Sequence, residues 1–369
     1  MPASKNSILF IQNRPRRAGA QVSLSRIITS QDISSLNPYV LLGSNGWLKS
    51  FLDKHKILNQ VRPWRSPRSL SSRLGARSLF ANKTIKKLKA DGVYPAAIVA
   101  NDHEECLIAL ALSQALGKTA SQVPVITILR SSGMSQVDFK KYNCMQCDQL
   151  FARGEELTAK ATQWGGRNVT CMLGSFSEDE LITPPPAPAS FPTKILVAGS
   201  EIPNKGFSDV LDALKIVELN EPEFPALELV FTGEQTEPLA QIANQPFRSR
   251  FHFAGRIENF IEYARQFQLA IHPSRAESFG MAPLELILAG VPTMISNTGI
   301  TPELPLSAPW TFPTNSPYDL ARSITELWKN WTRWPSNIHE LQGYILDRYP
   351  ISHTTSSLAK SIERLTKKS

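Results

Sequence analysis

The sequence predicts an α/β protein made of two doubly wound units, each with a parallel sheet. Three observations predict it. Short apolar runs alternate with helical stretches along both halves of the chain, the pattern of parallel strands covered by helices on both faces. The run Pro184-Pro185-Pro186-Ala187-Pro188-Ala189-Ser190-Phe191-Pro192 cannot form a helix or an inner strand, and it separates the halves. The length, 369 residues with 42% hydrophobic and 20% charged side chains, suits two domains that each bury a core.

The first half opens with a strand at Ser7 to Gln12. A loop, Asn13 to Gly19, leads into a helix from about Ala20. Further strands are expected at Tyr39 to Leu42, Ala96 to Ala100 and Val123 to Leu129, and Leu107 to Leu116 has helical periodicity. The second half starts with a strand at Lys194 to Ala198 and a helix at Phe207 to Leu219. Strands follow at Leu227 to Thr232, Phe251 to Phe253, Leu269 to His272 and Thr293 to Ser296. The tail from Ser352 reads as a helix with Leu358, Ile362 and Leu365 on one face. The expected division is an N-terminal domain over 1–185, a linker over 186–192, a C-terminal domain over 193–350 and a last helix over 351–369. Ligands of such sheets sit beyond the C-terminal ends of the strands, and two such units face to face would leave a cleft. Trp328, Trp331 and Trp334 recur at every third residue and read as a stripe packed against the domain, with a sugar or membrane platform as the minor alternative.

Composition sets further bounds. No apolar run reaches the roughly 18–20 residues that span a bilayer, and Ile8 to Ile11 is too short for a signal-peptide core. A cytoplasmic protein is expected. Four cysteines in this length do not suggest a disulfide framework. Cys144 and Cys147 form a CxxC, but zinc needs further ligands at finger spacing, so buried, inert thiols are expected. The net charge of +8 is uneven: residues 1–190 hold 24 Lys and Arg against 13 Asp and Glu, and the remainder 16 against 19.

The most informative stretch is Glu277-Ser278-Phe279-Gly280-Met281-Ala282-Pro283-Leu284-Glu285. It follows an expected strand, and Pro283 suits a first helical turn. The N–H groups of Gly280, Met281 and Ala282 would then be unpaired at a helix N-terminus, a ready phosphate site. Glu285 and Glu277 would accept hydrogen bonds from sugar hydroxyls on either side. A strand–turn–helix with acidic residues is also stabilised by the helix dipole with no ligand at all. Downstream, Leu286 to Gly290 reads as a helix ended by glycine, Val291 to Ser296 as a short strand, and Asn297 to Glu303 as a second glycine turn with a carboxylate.

Pro273-Ser274-x-x-Glu277-Ser278-Phe279-Gly280-x4-Glu285, with Ala289-Gly290-Val291-Pro292, resembles the C-terminal domain of family 4 glycosyltransferases, retaining enzymes of the GT-B fold. The resemblance implies two Rossmann-like domains facing each other across a cleft, and a C-terminal helix that crosses back to the N-terminal domain. It also implies a sugar transferred from a UDP-, GDP- or ADP-sugar to a glycan or lipid-linked acceptor, in polysaccharide or glycoconjugate synthesis. Gly199-Ser200-Glu201-Ile202-Pro203-Asn204-Lys205-Gly206 matches the family's diphosphate-binding segment, with Lys205 in place and Ser200 where the family has arginine. A serine cannot replace a bidentate guanidinium; Arg256 or Arg275 is a candidate substitute. By the same resemblance Glu285 would bind the ribose hydroxyls and Glu277 hydroxyls of the transferred sugar. Phe279 and Gly280 would shape the turn against sugar and phosphates. Front-face attack is the implied mechanism, with the leaving phosphate taking the acceptor's proton.

In the first half, Gly19 within Arg17-Ala18-Gly19-Ala20-Gln21 resembles the family's glycine loop near the phosphates, and it also fits a plain turn. His103 resembles an acceptor-side histidine that would bind or polarise a hydroxyl; a capping Asp102 beside an exposed histidine is the bland alternative. Arg130 lies where relatives often carry another histidine and would face a phosphate or an anionic acceptor. No Asp-x-Asp motif stands out, and neither a metal nor another cofactor is expected. Residues 54–90 carry eleven Lys and Arg and no Asp or Glu, interleaved with apolar residues. This basic stretch reads as a surface for anionic lipid at the cytoplasmic face, or as a solvated helical face. No nucleic-acid motif accompanies it. A nucleotide-sugar epimerase and a non-catalytic GT-B relative remain alternatives, the latter because of Ser200.

Overall fold

A computed structural model of the chain describes residues 7–64, 74–117, 123–131, 133–184, 188–199, 203–232, 236–255, 257, 259–331 and 338–367. The chain divides into two compact units, Met1–Ser175 with Tyr349–Ser369, and Phe176–Arg348.

The first unit contains β1 (Ser7–Gln12), β2 (Pro38–Leu42), β3 (Leu58–Val61), β4 (Pro95–Ala100), β5 (Val125–Leu129), β6 (Gln149–Ala152) and β7 (Val169–Cys171). They form one sheet in the order β3-β2-β1-β4-β5-β6-β7, and every pairing is parallel. Phe10 of β1 lies opposite Val40 on one side and Val99 on the other. Strand periodicity sends alternate side chains to opposite faces. Leu9 and Ile11 join Leu41, Ile98 and the helices Leu74–Ala90 and Cys106–Leu116 in one core. Ile8 and Phe10 join Val40, Val99 and the helix Gly19–Thr29 in the other. Burial on both faces explains why β1, SILFIQ, reads as a nearly continuous apolar run.

The helix Ile351–Thr366 belongs to this unit. It buries Leu358, Ala359 and Ile362 in the second core. Thr355 and Ser356 hydroxyls donate to Asp32 Oδ2 at 2.7 and 2.9 Å, and Arg364 donates to Gln149 Oε1 at 2.7 Å. The basic helix Leu74–Ala90 buries Ala81, Ile85 and Leu88 against the sheet and leaves Lys83, Lys86, Lys87 and Lys89 exposed. Its apolar face is therefore occupied by the core, and Leu79, 56% exposed, is the apolar side chain it offers outward. Residues 65–73 of the basic stretch lie outside the described residues.

The second unit contains β8 (Lys194–Val197), β9 (Glu228–Phe231), β10 (Arg250–Phe253), β11 (Ala270–His272), β12 (Thr293–Ser296) and β13 (Thr311–Phe312). Their order is β10-β9-β8-β11-β12-β13, again all parallel. Ile195 and Val197 face one core with the helix Phe207–Asn220, and Leu196 and Ala198 face the other. The described part of the proline run belongs to this unit. Trp331 Nε1 donates to the Pro188 carbonyl at 2.8 Å, and its ring meets Phe191 edge-on at 5.6 Å. Trp328 meets Phe224 edge-on at 5.3 Å. These two tryptophans pack against their own unit, and Trp334 lies outside the described residues.

In both sheets the first strand is central and the order reverses beside it, between β1 and β4 and between β8 and β11. A crevice forms beyond the C-terminal ends of strands at such a reversal. Among the described residues no helix is long and apolar enough to cross a membrane. Cys106, Cys144 and Cys147 are buried around Thr127, and burial pushes the Cys106 thiol well up. Among the described residues no group of three or more His, Cys, Asp or Glu is placed to hold a metal ion.

Leu358 makes the helix Ile351–Thr366 part of the first core. Leu358→Ala is expected to destabilise that unit by about 2–5 kcal/mol, read as an earlier urea transition by circular dichroism.

Candidate functional site

The reversal between β8 and β11 brings together two loops of the second unit. Gly199 and residues 203–206 follow β8, and residues 273–280 follow β11. Gly206 caps the helix Phe207–Asn220 with φ +66°, a left-handed conformation. A Cβ there would lie 2.1 Å from the Pro273 carbonyl oxygen, so only glycine lets the loops approach. Arg275 fastens them from the other side. Its backbone N–H donates to the Asn204 carbonyl at 2.7 Å, and its guanidinium grips both oxygens of Asp209 and the Ser208 hydroxyl. The turn after β12 closes a third side. Ile300 N–H donates to the Phe279 carbonyl at 2.9 Å, and a Cβ on Gly299 would come within 2.6 Å of that same oxygen.

Within this frame Lys205 and Glu277 form an ion pair through Glu277 Oε1. The same oxygen faces His272 Nε2 at 3.1 Å, and His272 Nδ1 faces the Ala198 carbonyl at 3.0 Å. Burial opposes charge on Glu277, but the hydrogen bond and charge of His272 and the Lys205 ammonium outweigh it and hold the carboxyl at about 2. Glu277 is thus an anion across the ordinary pH range. Its Oε2 makes no hydrogen bond to a described residue. The backbone N–H of Glu277 donates to Thr298 Oγ1 at 3.2 Å.

Gly280 caps the helix Met281–Leu288, and Pro283 sits in its first turn. The N–H groups of Gly280, Met281 and Ala282 have no partner among the described residues, and Met281 and Ala282 are half-buried. Glu285 follows Met281 by one turn and so shares its side of the helix. Phe279 is buried beneath the turn. Ser200 and Arg256 lie outside the described residues. Arg275, the other candidate for the missing arginine, is committed to Asp209, so it is a brace for the loop.

The first unit carries its own polar cluster at the reversal between β1 and β4. Asn101, buried after β4, donates to Gln12 Oε1 and to the Ala20 carbonyl. Arg130, after β5, donates through Nε to the Asn101 carbonyl and Oδ1 at 2.9 and 2.8 Å. Glu105 Oε1 accepts from Asn13 N–H at 3.0 Å and Gln12 Nε2 at 3.3 Å. Burial, with Asp102 and Glu104 nearby, pushes Glu105 up to about 8, so it keeps its proton at neutral pH. Asp102 caps the turn His103–Glu105, as the bland reading expects, accepting from His103 N–H at 2.8 Å and facing His103 Nδ1 at 2.9 Å. The histidine, however, is not exposed: its side chain is 12% accessible and lies edge-on to Tyr142. Burial opposes its protonation, but the Asp102 hydrogen bond and the charges of Asp102, Glu104 and Glu105 outweigh it and raise its pKa. Gly19 opens the helix Gly19–Thr29, and a Cβ there would meet nothing within 4 Å. No packing within its unit explains that glycine.

The expected residues thus fall into two groups. Lys205, Glu277, Phe279, Gly280, Met281, Ala282 and Glu285 surround one reversal, and His103 and Gly19 belong to the first unit. Sequence reading placed His272 and Thr232 in strands and gave them no role. Thr232 Oγ1 in fact accepts from Gly199 N–H at 3.0 Å and holds the start of the first loop. The available signal was a polar residue closing a buried strand, which for His272 stands five residues before the motif carboxylate.

Residues 180–340 match the family model described as Glycosyl transferases group 1. No curated protein matches the sequence. Among solved structures, HepE of Anabaena, crystallised with UDP and glucose, is 17% identical with a TM-score of 0.75, over 96% of this chain and 99% of that one. A glycosyltransferase of Rickettsia africae is 16% identical with a TM-score of 0.73, over 99% and 100%. Sucrose-phosphate synthase of Thermosynechococcus elongatus is 13% identical with a TM-score of 0.69, over 99% and 100%. The fold is GT-B, and the match of residues 180–340 to the glycosyltransferase group 1 model supports a glycosyltransferase.

Two glycines should respond oppositely. Gly206→Ala should cost at least about 1–3 kcal/mol for its backbone conformation alone, whereas Gly19→Ala should leave thermal stability unchanged; calorimetric melting of both variants checks this. His103 should titrate above the ordinary histidine value by NMR, and lower in Asp102→Asn, which removes the hydrogen bond and charge that oppose burial most. Its stabilising contribution is complete below pH about 6.5 and is lost as pH rises through the raised folded value.

Proposed function

We propose that the chain is a retaining glycosyltransferase that moves a hexose from a nucleotide-sugar donor to a glycan or lipid-linked acceptor. One arrangement carries the reading. Lys205, the Glu277 carboxylate and the unpaired N–H groups of residues 280–282 border the loops beyond β8 and β11. The ammonium and the helix N-terminus supply fixed positive potential for a diphosphate, whose charge grows as the glycosidic bond breaks. Glu277 Oε2 accepts a hydroxyl of the transferred sugar, and Glu285 the ribose hydroxyls. The acceptor oxygen attacks the anomeric carbon on the face the phosphate leaves, and its proton passes to the departing phosphate oxygen. The product keeps the donor's configuration. No metal ion has a part in this proposal. His103 holds the acceptor hydroxyl, with Asp102 fixing its ring. Gly19 keeps space open for the donor, consistent with the vacant volume around it. The neighbours crystallised with UDP and UDP-glucose favour a UDP-sugar as the first donor to try.

The basic helix Leu74–Ala90 supports association with an anionic membrane by charge, since its apolar face is already buried. Binding to phosphatidylglycerol vesicles that falls steeply with salt, and is weakened by Lys83→Glu with Lys86→Glu, is the expected result of a flotation assay. Equal binding to phosphatidylcholine vesicles would contradict it.

Calorimetric titration across UDP-, GDP- and ADP-sugars tests the main reading. One donor should bind saturably, and Glu285→Ala should weaken it about 10- to 100-fold, the worth of a hydrogen bond to a charged group. Slow release of free nucleotide would accompany catalysis. Conversion of donor to an isomer without acceptor would instead indicate an epimerase, and absence of binding a non-catalytic relative.

A further inference from the structure

We propose that His272 is a positioning residue that lets Lys205 change partners, keeping Glu277 an anchored carboxylate while the lysine moves from Glu277 to the donor's diphosphate. The inference rests on the donor-binding reading above and assigns a role to a residue outside the sequence motif. Its starting point is a conflict of demand. The Lys205 ammonium pairs with Glu277 in this structure, and on the donor-binding reading an incoming diphosphate competes for the same ammonium. A partly buried carboxylate that lost this ammonium with nothing in its place would hold the lysine back or take up a proton.

His272 removes the conflict. It is the last residue of β11, 1% exposed, and both of its ring nitrogens face acceptors. Nδ1 lies against the Ala198 carbonyl just beyond β8 at 3.0 Å, and Nε2 against Glu277 Oε1 at 3.1 Å. The ring is thus fixed between two adjacent strands and cannot follow the ligand. Lys205 is built differently. It ends the short turn Pro203–Lys205, its side chain is 25% exposed, and its stem is long and flexible. Both groups meet the same oxygen, Oε1, so withdrawing the lysine leaves that oxygen hydrogen-bonded and keeps Oε2 turned to its own partner.

A double-mutant cycle on donor affinity tests the idea. In the wild-type background Lys205→Ala should weaken donor binding about 10- to 100-fold. In a His272→Phe background the lysine is already retained by Glu277. Donor binding should start weaker there, and Lys205→Ala should cost less than about threefold more. Unchanged melting temperature distinguishes this from general disorder; should His272→Phe fail to fold, His272→Asn serves as the second background. Equal costs of Lys205→Ala in both backgrounds, with donor bound by the wild-type protein, would overturn the inference alone. Failure of the wild-type protein to bind any donor would overturn the functional reading and the inference with it.

Discussion

A carboxylate kept ionised beneath the surface is the constraint on which the second unit's site depends. Glu277 is largely buried, and burial alone would protonate it. It stays charged because the Lys205 ammonium and the His272 ring, from separate strand ends, converge on one oxygen. That convergence requires β8 and β11 to be neighbours, which only the reversed strand order provides. In a sheet that followed chain order, β11 would not lie beside β8. The Ala198 carbonyl would then not be available to orient His272. Topology and electrostatics are one argument here.

The loop frame follows from the same demand for proximity. Lys205 reaches Glu277 because the Gly206 backbone passes against Pro273 closer than any side chain would permit. Arg275 adds the second tie, and its guanidinium is neutralised by Asp209 rather than by a ligand. The frame therefore holds one cation as structure and leaves the neighbouring one exchangeable. The difference lies in their partners. The Asp209 carboxylate takes Arg275 in two-pronged geometry, whereas Glu277 has a second donor in His272.

Much of this was legible in the sequence, and the parts that were not share a cause. Strands buried on both faces, such as β1 and β5, announce themselves as apolar runs. The edge strands Leu58–Val61, Val169–Cys171 and Thr311–Phe312 were not expected, because they are short and rest on a single neighbour. Gln149–Ala152 was also passed over; four residues beginning with a polar one give no period. The Glu277 to Glu285 motif and Lys205 were visible because their spacing is local. His272, Thr232 and the Arg275–Asp209 brace were not, since each acts on a residue brought close only by sheet order. Arg275 was one of two candidates to stand in for the missing arginine, and sequence carries no record that Asp209 already holds it.

The two units meet the same topological opportunity with opposite electrostatics. Beyond β8 and β11 the carboxylate faces cations and is held ionised at about 2. Beyond β1 and β4, Glu105 faces Asp102 and Glu104 and is pushed up to about 8. A neutral acid at neutral pH donates as well as accepts, and around it Gln12, Asn101 and Arg130 form a connected set of hydrogen bonds. Arg130, whose own pKa is lowered to about 10 by burial, lies beside Asp102 and Glu105. Gln12, Asn101 and Glu105 are themselves buried, so these bonds tie β1, β4 and the turn His103–Glu105 to one another. The second unit instead gathers a partly exposed ammonium, helix N–H groups with no partner among the described residues, and an ionised carboxylate. The same topological opening thus holds a buried, protonated carboxyl in one unit and an ionised, ion-paired carboxylate in the other.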